Sequence, residues 1–317
     1  WNSLAAADFD GDGDIDFIAG NYGLNNSYCA TPEYPLEVFA NDFDGNGSID
    51  PILACHLPES FEQPARKLFP VHFWDELISQ SPKFRQQFSS YNQYGQTTMD
   101  ELLSPEDMKG GLRLTANFMQ SSYIENLGGF KFKVSPLPVE AQVAPVNGLV
   151  IEDVNGDGNA DVLVVGNDYG NEVFVGRMDA LKGLVLLGDG AGNFRSVEPA
   201  TSGFHVGGDG KALASLVTAD GAQLFIATQN RDSLRVFQRV QSDDTRWFAV
   251  QPADVRVIIE YEGGKKETKE VFHGLGYLSQ STRKVRIPSD AAKVIVVDSR
   301  GNERQIGQDL AAPSASR

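Results

Sequence analysis

Carboxylates and amides recur at one fixed spacing in three stretches of this chain. They are Asp8-Phe-Asp-Gly-Asp-Gly-Asp-Ile-Asp16, Asp42-Phe-Asp-Gly-Asn-Gly-Ser-Ile-Asp50 and Asp153-Val-Asn-Gly-Asp-Gly-Asn-Ala-Asp161. Counted from the first Asp, positions 1, 3, 5 and 9 are always Asp or Asn, and positions 4 and 6 are always Gly. Oxygens gathered so closely repel one another unless a cation sits among them, and glycine lets the backbone turn tightly enough to aim alternate side chains inward. Calcium suits such a cage because it accepts 6–8 oxygen ligands in flexible geometry, whereas magnesium demands a near-octahedral shell. The loops contain no Cys or His, so zinc and copper are poor candidates.

The expected ligands are the side chains at positions 1, 3, 5 and 9 and the backbone carbonyl at position 7. The first loop then supplies Asp8, Asp10, Asp12 and Asp16 with the carbonyl of Asp14. The second supplies Asp42, Asp44, Asn46 and Asp50 with the carbonyl of Ser48, and the third Asp153, Asn155, Asp157 and Asp161 with the carbonyl of Asn159. Three Ca2+ sites follow, the first expected to be tightest because all four of its side-chain ligands are acidic. An EF-hand begins in the same way but needs a Glu at position 12 and flanking helices. Position 12 is here Ala19, Leu53 and Val164, each inside an apolar run that reads as a strand.

Repetition of one loop before one kind of strand points to a repeat architecture. Leu186-Leu-Gly-Asp-Gly-Ala-Gly-Asn-Phe194 is a glycine turn closing the third unit, and Glu125-Asn-Leu-Gly-Gly-Phe-Lys-Phe132 reads as a shorter version closing the second. A fourth unit, residues 213–237, keeps its strands but shortens the loop to Thr218-Ala-Asp-Gly-Ala-Gln223, which loses the metal. Four-stranded units at such intervals are how β-propeller blades read. The expected fold is therefore all-β, with calcium-binding propeller blades over residues 1–244.

The second and third loops start 111 residues apart, against 34 for the first two, so an insertion is expected over about 66–112. It reads as helical: apolar residues at 73, 74, 77 and 78 continue through Phe84 and Phe88 on one face. Thr98-Met-Asp-Glu101 has capping-box spacing, and Ser104-Pro-Glu-Asp107 reads as a further helix start. Aromatic residues at helical spacing usually form core, which makes the insertion a lid packed on the sheets. The alternative is a partner surface built on Trp74, Phe84 and Tyr91. From about residue 245 to 310 the pattern changes to a charged hairpin, 255–261 and 265–271 around Gly263-Gly264, followed by strands near 285 and 294. This is a small C-terminal β-domain, and 311–317 reads as a disordered tail.

The net charge of −16 is uneven. Residues 245–317 hold 12 basic and 9 acidic side chains, which leaves −19 on the first 244 and argues against nucleic-acid binding through a basic surface. No run of about 18 apolar residues spans a membrane. The two cysteines, Cys29 and Cys55, could pair in an exported protein or be two small buried residues. Weak calcium sites fill at extracellular calcium levels, which also favours export.

The loops resemble FG-GAP/VCBS repeats, the calcium-bearing blades of propellers. Gly274-Leu-Gly-Tyr-Leu-Ser-Gln-Ser-Thr282 after the charged hairpin resembles the ASPIC/UnbV domain. Together the two resemblances cover nearly the whole chain. They imply an exported bacterial surface lipoprotein at the Gram-negative outer membrane, a non-enzymatic binding or scaffold protein accessory to a SusC/SusD-type nutrient-uptake complex. They also imply a protein partner, a glycan or peptide ligand, and further blades upstream of Trp1. The Trp-Pro-x-Gly end of the ASPIC/UnbV pattern reads Val297-Asp-Ser-Arg-Gly301 here, so a role tied to that Trp-Pro does not transfer.

Signals for catalysis are weak by comparison. His56, His72, His205 and His273 show no metal-protease spacing, and there is no Gly-x-Ser-x-Gly elbow. Gly207-Gly-Asp-Gly-Lys-Ala212 lacks the first Gly and the Ser or Thr of a phosphate loop and reads as a turn between blades. The rival to a binding protein is a polysaccharide-active enzyme or lectin, with its site on the propeller face or the insertion.

Overall fold

Each acidic loop connects two antiparallel strands, and the register is the same in all three. The computed structural model describes residues 1–306 except 29, 61–64, 172–174, 241–245, 265, 275 and 277. Strands take up 42% of the residues and helices 10%, so the fold is mostly β as expected. Strand β1 (Ser3–Ala7) leads through the first loop into β2 (Asp16–Gly20), β3 (Leu36–Asn41) through the second into β4 (Asp50–Pro58). The last pairs of the two hairpins are Ala7↔Asp16 and Asn41↔Asp50. After β5 (Arg66–Pro70), β6 (Leu112–Ala116), β7 (Ser122–Asn126) and β8 (Phe132–Pro136), the third loop joins β9 (Val146–Glu152) to β10 (Asp161–Gly166), with Asp161 opposite Glu152.

The chain divides into two compact units, residues 26–119 and the remainder. In the smaller unit the sheet order is β5-β4-β3-β6. Between β5 and β6 lie α1 (Trp74–Gln80), a 3-10 turn (Pro82–Arg85), α2 (Tyr91–Gly95) and α3 (Met99–Leu102). Their apolar faces bury Leu77, Phe84, Phe88, Tyr94, Met99 and Leu102 against Phe39, Phe43 and Ile52 of the sheet side. Phe84 and Trp74 are therefore core or half-buried, while Tyr91 stays exposed and donates its hydroxyl to Asp75. The capping box at Thr98 is present, with Glu101 accepting from the Thr98 amide at 2.9 Å. The helix expected at Ser104 is not formed: 105–110 is a succession of turns. Asn41 takes the carbonyls of Asp107 and Lys109 for its own side-chain amide, and the left-handed Gly110 (φ +79°) ends the run before helical bonds accumulate.

In the larger unit, β1 and β2 continue into β7 and β8, giving the order β1-β2-β7-β8. The whole smaller unit is thus an insertion between the second and third strands of the first sheet. The glycine turn at 125–132 closes the sheet of the first loop and not the unit of the second, contrary to the sequence reading. A second sheet runs β9-β10-β11-β12, with β11 (Leu184–Gly188) and β12 (Phe194–Val197). After the one-turn helix α4 (Pro199–Ser202) comes a third, β13-β14-β15, with β13 (Gly210–Val217), β14 (Gln223–Gln229) and β15 (Arg235–Gln238). Residues 207–209 are irregular backbone with a bend at Gly208 that leads into β13. Successive sheets pack face to face through Ile18, Val146, Val162 and Leu186, then through Val150, Val165, Leu213 and Phe225. The first strands β1, β9 and β13 are neighbours in that order.

The C-terminal region, which falls within the larger unit, pairs β16 (Arg246–Ala249) with a later strand, β19 (Lys284–Ile287), as one small sheet. Its second sheet combines β17 (Asp254–Tyr261), β18 (Lys266–Glu270), β20 (Ala291–Asp298) and β21 (Glu303–Ile306) in the order β18-β17-β20-β21. Val257, Ile259, Val285, Ile287, Val294 and Val296 fill the space between them. The charged hairpin expected from the sequence is β17–β18. Cys29 and the tail 311–317 lie outside the described residues; Cys55 is buried on β4. Among the described residues no helix is long and apolar enough to cross a membrane.

Candidate metal centre

The two glycines of each loop adopt the left-handed conformation that the tight turn requires. Their φ angles are +78° and +96° at Gly11 and Gly13, +75° and +88° at Gly45 and Gly47, and +85° and +82° at Gly156 and Gly158. Only glycine enters that region at no steric cost. With the backbone so turned, loop amides fall onto the side chains at positions 1, 3 and 5. Gly11 N donates to Asp8 (2.8 Å), Gly47 N to Asp42 (2.8 Å) and Gly156 N to Asp153 (2.6 Å). Asp14, Ser48 and Asn159 donate their amides to position 5, namely Asp12, Asn46 and Asp157.

Position 9 opens the following strand and is buried in every sheet: Asp16 is 0% exposed, Asp50 3% and Asp161 0%. Each takes the amide of position 2 (Phe9 3.2 Å, Phe43 3.2 Å, Val154 2.9 Å). Asp16 and Asp161 also reach across their sheets. Asp16 accepts from Asn126 N (2.8 Å) and the Tyr123 hydroxyl (2.8 Å), and Asp161 accepts from Gly188 N (3.0 Å). Asn126 and Gly188 stand where β7 and β11 run into their glycine turns, so position 9 ties loop, second strand and third strand together. In the fourth unit the same place holds Gln223, also 0% exposed, at the end of a connection of five residues, 218–222. Its amide donates to Glu152 and Ser215, so a neutral side chain fills the position without any need for an ion.

The loops part company in their charge. Carboxylate oxygens of Asp8, Asp10 and Asp16 lie within 4.8 Å of one another, and so do those of Asp42, Asp44 and Asp50. Burial, then the charges of neighbouring carboxylates, raises Asp8, Asp10 and Asp14 above the ordinary carboxylate value. Asp50 is raised by burial and by Asp44 and Asp42. Asp14 keeps its Oδ1 out of water without a hydrogen-bond partner. The two carboxylate groups could each hold a hard divalent cation, and an all-oxygen donor set of this kind is the chemistry calcium takes.

The third loop does not gather three carboxylates. Asn155 turns its amide onto Asp157 (2.8 Å), and Arg286 of β19 approaches Asp153, its Nη1 3.5 Å from Oδ2 and donating to the backbone carbonyl at 3.1 Å. Burial, with lesser contributions from Asp157 and Asp153, pushes Asp161 up to about 6. Sequence reasoning missed Arg286 because nothing local marks it: it lies 133 residues from its partner.

No protein-family model matches the chain, and no curated protein matches it at a significant level. The site is therefore defined by its own residues. Beside the first and third loops, the larger unit also encloses a cavity of about 230 Å³ lined by Phe9, Ile151, Glu152, Trp247, Lys269 and Arg286, among others. The four histidines belong to no cluster of three metal-ligating groups among the described residues. His56 contacts the Pro35 carbonyl, His72 accepts from Leu53 N, and His273 contacts the Pro252 carbonyl.

Proposed function

We propose that this chain is a calcium-stabilised β-repeat protein of the propeller type that works by binding and scaffolding rather than catalysis. The observation that carries this reading is the recurrence of one hairpin connection, with two left-handed glycines and a buried position-9 carboxylate, in three sheets. Two of those connections gather three carboxylates on a point, with no ion pair to them among the described residues. The three first strands β1, β9 and β13 stand side by side in chain order, which is how blades follow one another around a propeller axis. FG-GAP/VCBS-like blades carrying an ASPIC/UnbV-like sandwich fit this arrangement, and with them an exported protein at the outer-membrane surface that serves a nutrient-uptake complex. Calcium bound only to the native state adds its binding free energy to stability. The metals in this reading hold sheets in shape, and the ligand or partner meets another surface.

The cavity beside Trp247 supports a second reading, a carbohydrate site, since it sets an aromatic ring and the carboxylates of Glu152, Glu267 and Glu270 around one space. Incubation with a panel of polysaccharides separates the two. Binding without release of new reducing ends supports a binding protein; release of product that is lost on substitution of a cavity carboxylate contradicts it. Chelation is expected to lower the melting temperature, and an unchanged melt in chelator contradicts the structural role of calcium.

A further inference from the structure

We propose that the Arg286 guanidinium takes the place of a metal ion at the third loop, so that the chain binds two divalent cations and uses the third loop to latch its C-terminal domain. This rests on reading the first two loops as cation sites. The three loops share one backbone, but among the described residues only in the third does a cationic side chain reach the carboxylate at position 1. Asp153 accepts on both oxygens from its own loop, Oδ1 from Gly156 N (2.6 Å) and Oδ2 from Gly158 N (3.2 Å), as Asp42 does in the second loop, and it alone has a guanidinium, Arg286, 3.5 Å from Oδ2 among the described residues. The side chains of Asp153 and Arg286 are only 11% and 15% exposed, so their attraction is poorly screened. Asp157 is engaged by the Asn155 amide, and Asp161 by two backbone amides. A second guanidinium, Arg239, lies 3.9 Å from Glu152, the strand partner of Asp161. A divalent ion entering here would meet positive charge already in place, the Arg286 guanidinium beside Asp153.

The same arginine belongs to the C-terminal domain, and its neighbours on the chain extend the grip. Thr282 N donates to Ser215 O (2.9 Å), Thr282 Oγ1 accepts from Val217 N (3.2 Å), and Ser281 Oγ accepts from Ser215 N (3.0 Å). These bonds satisfy the free edge of β13, which would otherwise expose unpaired backbone groups. Trp247 adds a bond from its indole to Gly221 O at 3.0 Å. The third loop thus keeps the fold of a metal loop, while its charge is spent on holding the last domain against the repeat sheets.

Calcium titration of the whole chain by calorimetry, with bound metal counted by equilibrium dialysis, tests this. The wild type is expected to bind two ions, Asp153→Asn to bind two with unchanged affinity, and Arg286→Ala to gain a third. Asp8→Asn serves as the control and is expected to lose one ion or at least tenfold in affinity. Three ions in the wild type, or a lost ion in Asp153→Asn, would overturn the latch. Two ions in a folded Arg286→Ala would overturn the exclusion of metal by the guanidinium while leaving the first two sites intact. No ion in the wild type would instead remove the reading of the first two loops, and the inference with it. Should Arg286→Ala not fold, Asp153→Asn decides alone.

Discussion

The first and third loops differ at two ligand positions and share their backbone, yet three carboxylates crowd one point in the first, whereas in the third an arginine stands beside the carboxylate at position 1. In the first, Asp8, Asp10 and Asp16 crowd together, and burial and mutual repulsion raise Asp8 and Asp10. In the third, a neutral Asn replaces the position-3 carboxylate and donates to Asp157, and Arg286 of β19 stands beside Asp153. Glycines at positions 4 and 6 and a buried carboxylate at position 9 make the hairpin in both cases. The comparison separates two roles that the motif combines: a shape, fixed by the glycines and position 9, and a charge, which an ion or an arginine can balance. Gln223 in the fourth unit carries the separation furthest, since there a neutral amide holds the position and the loop has shortened.

The largest effect should come from what the loops share. Asp16→Ala and Asp161→Ala each leave buried amides without an acceptor, and each is expected to cost about 3–5 kcal/mol in chelator, measured by urea denaturation. Calcium should widen the gap between them, because only Asp16 is then also lost as a ligand. Arg286→Ala should cost about 2–3 kcal/mol, since it strands a largely buried carboxylate. Hydrogen exchange would show the loss in β13 and β19; equal protection in mutant and wild type would argue against the latch.

A smaller effect concerns shape alone. Gly13→Ala forces a Cβ onto a residue at φ +96° with nothing within 4 Å, so its cost is conformational, about 1–2 kcal/mol. Gly47→Ala, the same position of the second loop and equally open at φ +88°, should cost the same by denaturant melts, and a large difference would show that the backbones are not equivalent. The smallest effect is a pH dependence. Because Asp8, Asp10 and Asp50 are raised in the folded chain, the metal-free fold is favoured below the ordinary carboxylate range and loses stability as pH rises through their raised values. Calcium needs those groups ionised, so the gain in melting temperature on adding calcium should be larger at about pH 7 than at about pH 5. A gain that shrinks with rising pH would contradict this.

Much of this fold is written locally. The spacing of Asp and Gly gives the hairpins and even their register, because position 9 must both accept a loop amide and open the next strand. The charged hairpin around Gly263-Gly264 and the capping box at Thr98 are legible for the same reason: every partner is within a few residues. What was not legible depends on distance along the chain. β2 pairs with β7 across a whole inserted unit, so the glycine turn at 125–132 was read with the wrong loop. The one hint was that this turn follows strands with no acidic loop between the insertion and themselves. Tyr123 reaches Asp16 across 107 residues and Arg286 reaches Asp153 across 133, and no pattern in either neighbourhood announces the pairing. At Ser104 a local helix signal lost to the Asn41 side chain, which captures the carbonyls that a helix would have used.

The central claim is that identical loop shapes hold an ion where carboxylates are left unbalanced and none where Arg286 balances them. Anomalous scattering from crystals grown with terbium, a calcium mimic, addresses it most directly. Peaks are expected among Asp8, Asp10 and Asp16 and among Asp42, Asp44 and Asp50, with Arg286 still against Asp153 and no peak in the third loop. A peak in the third loop, or none in the first, would contradict the account.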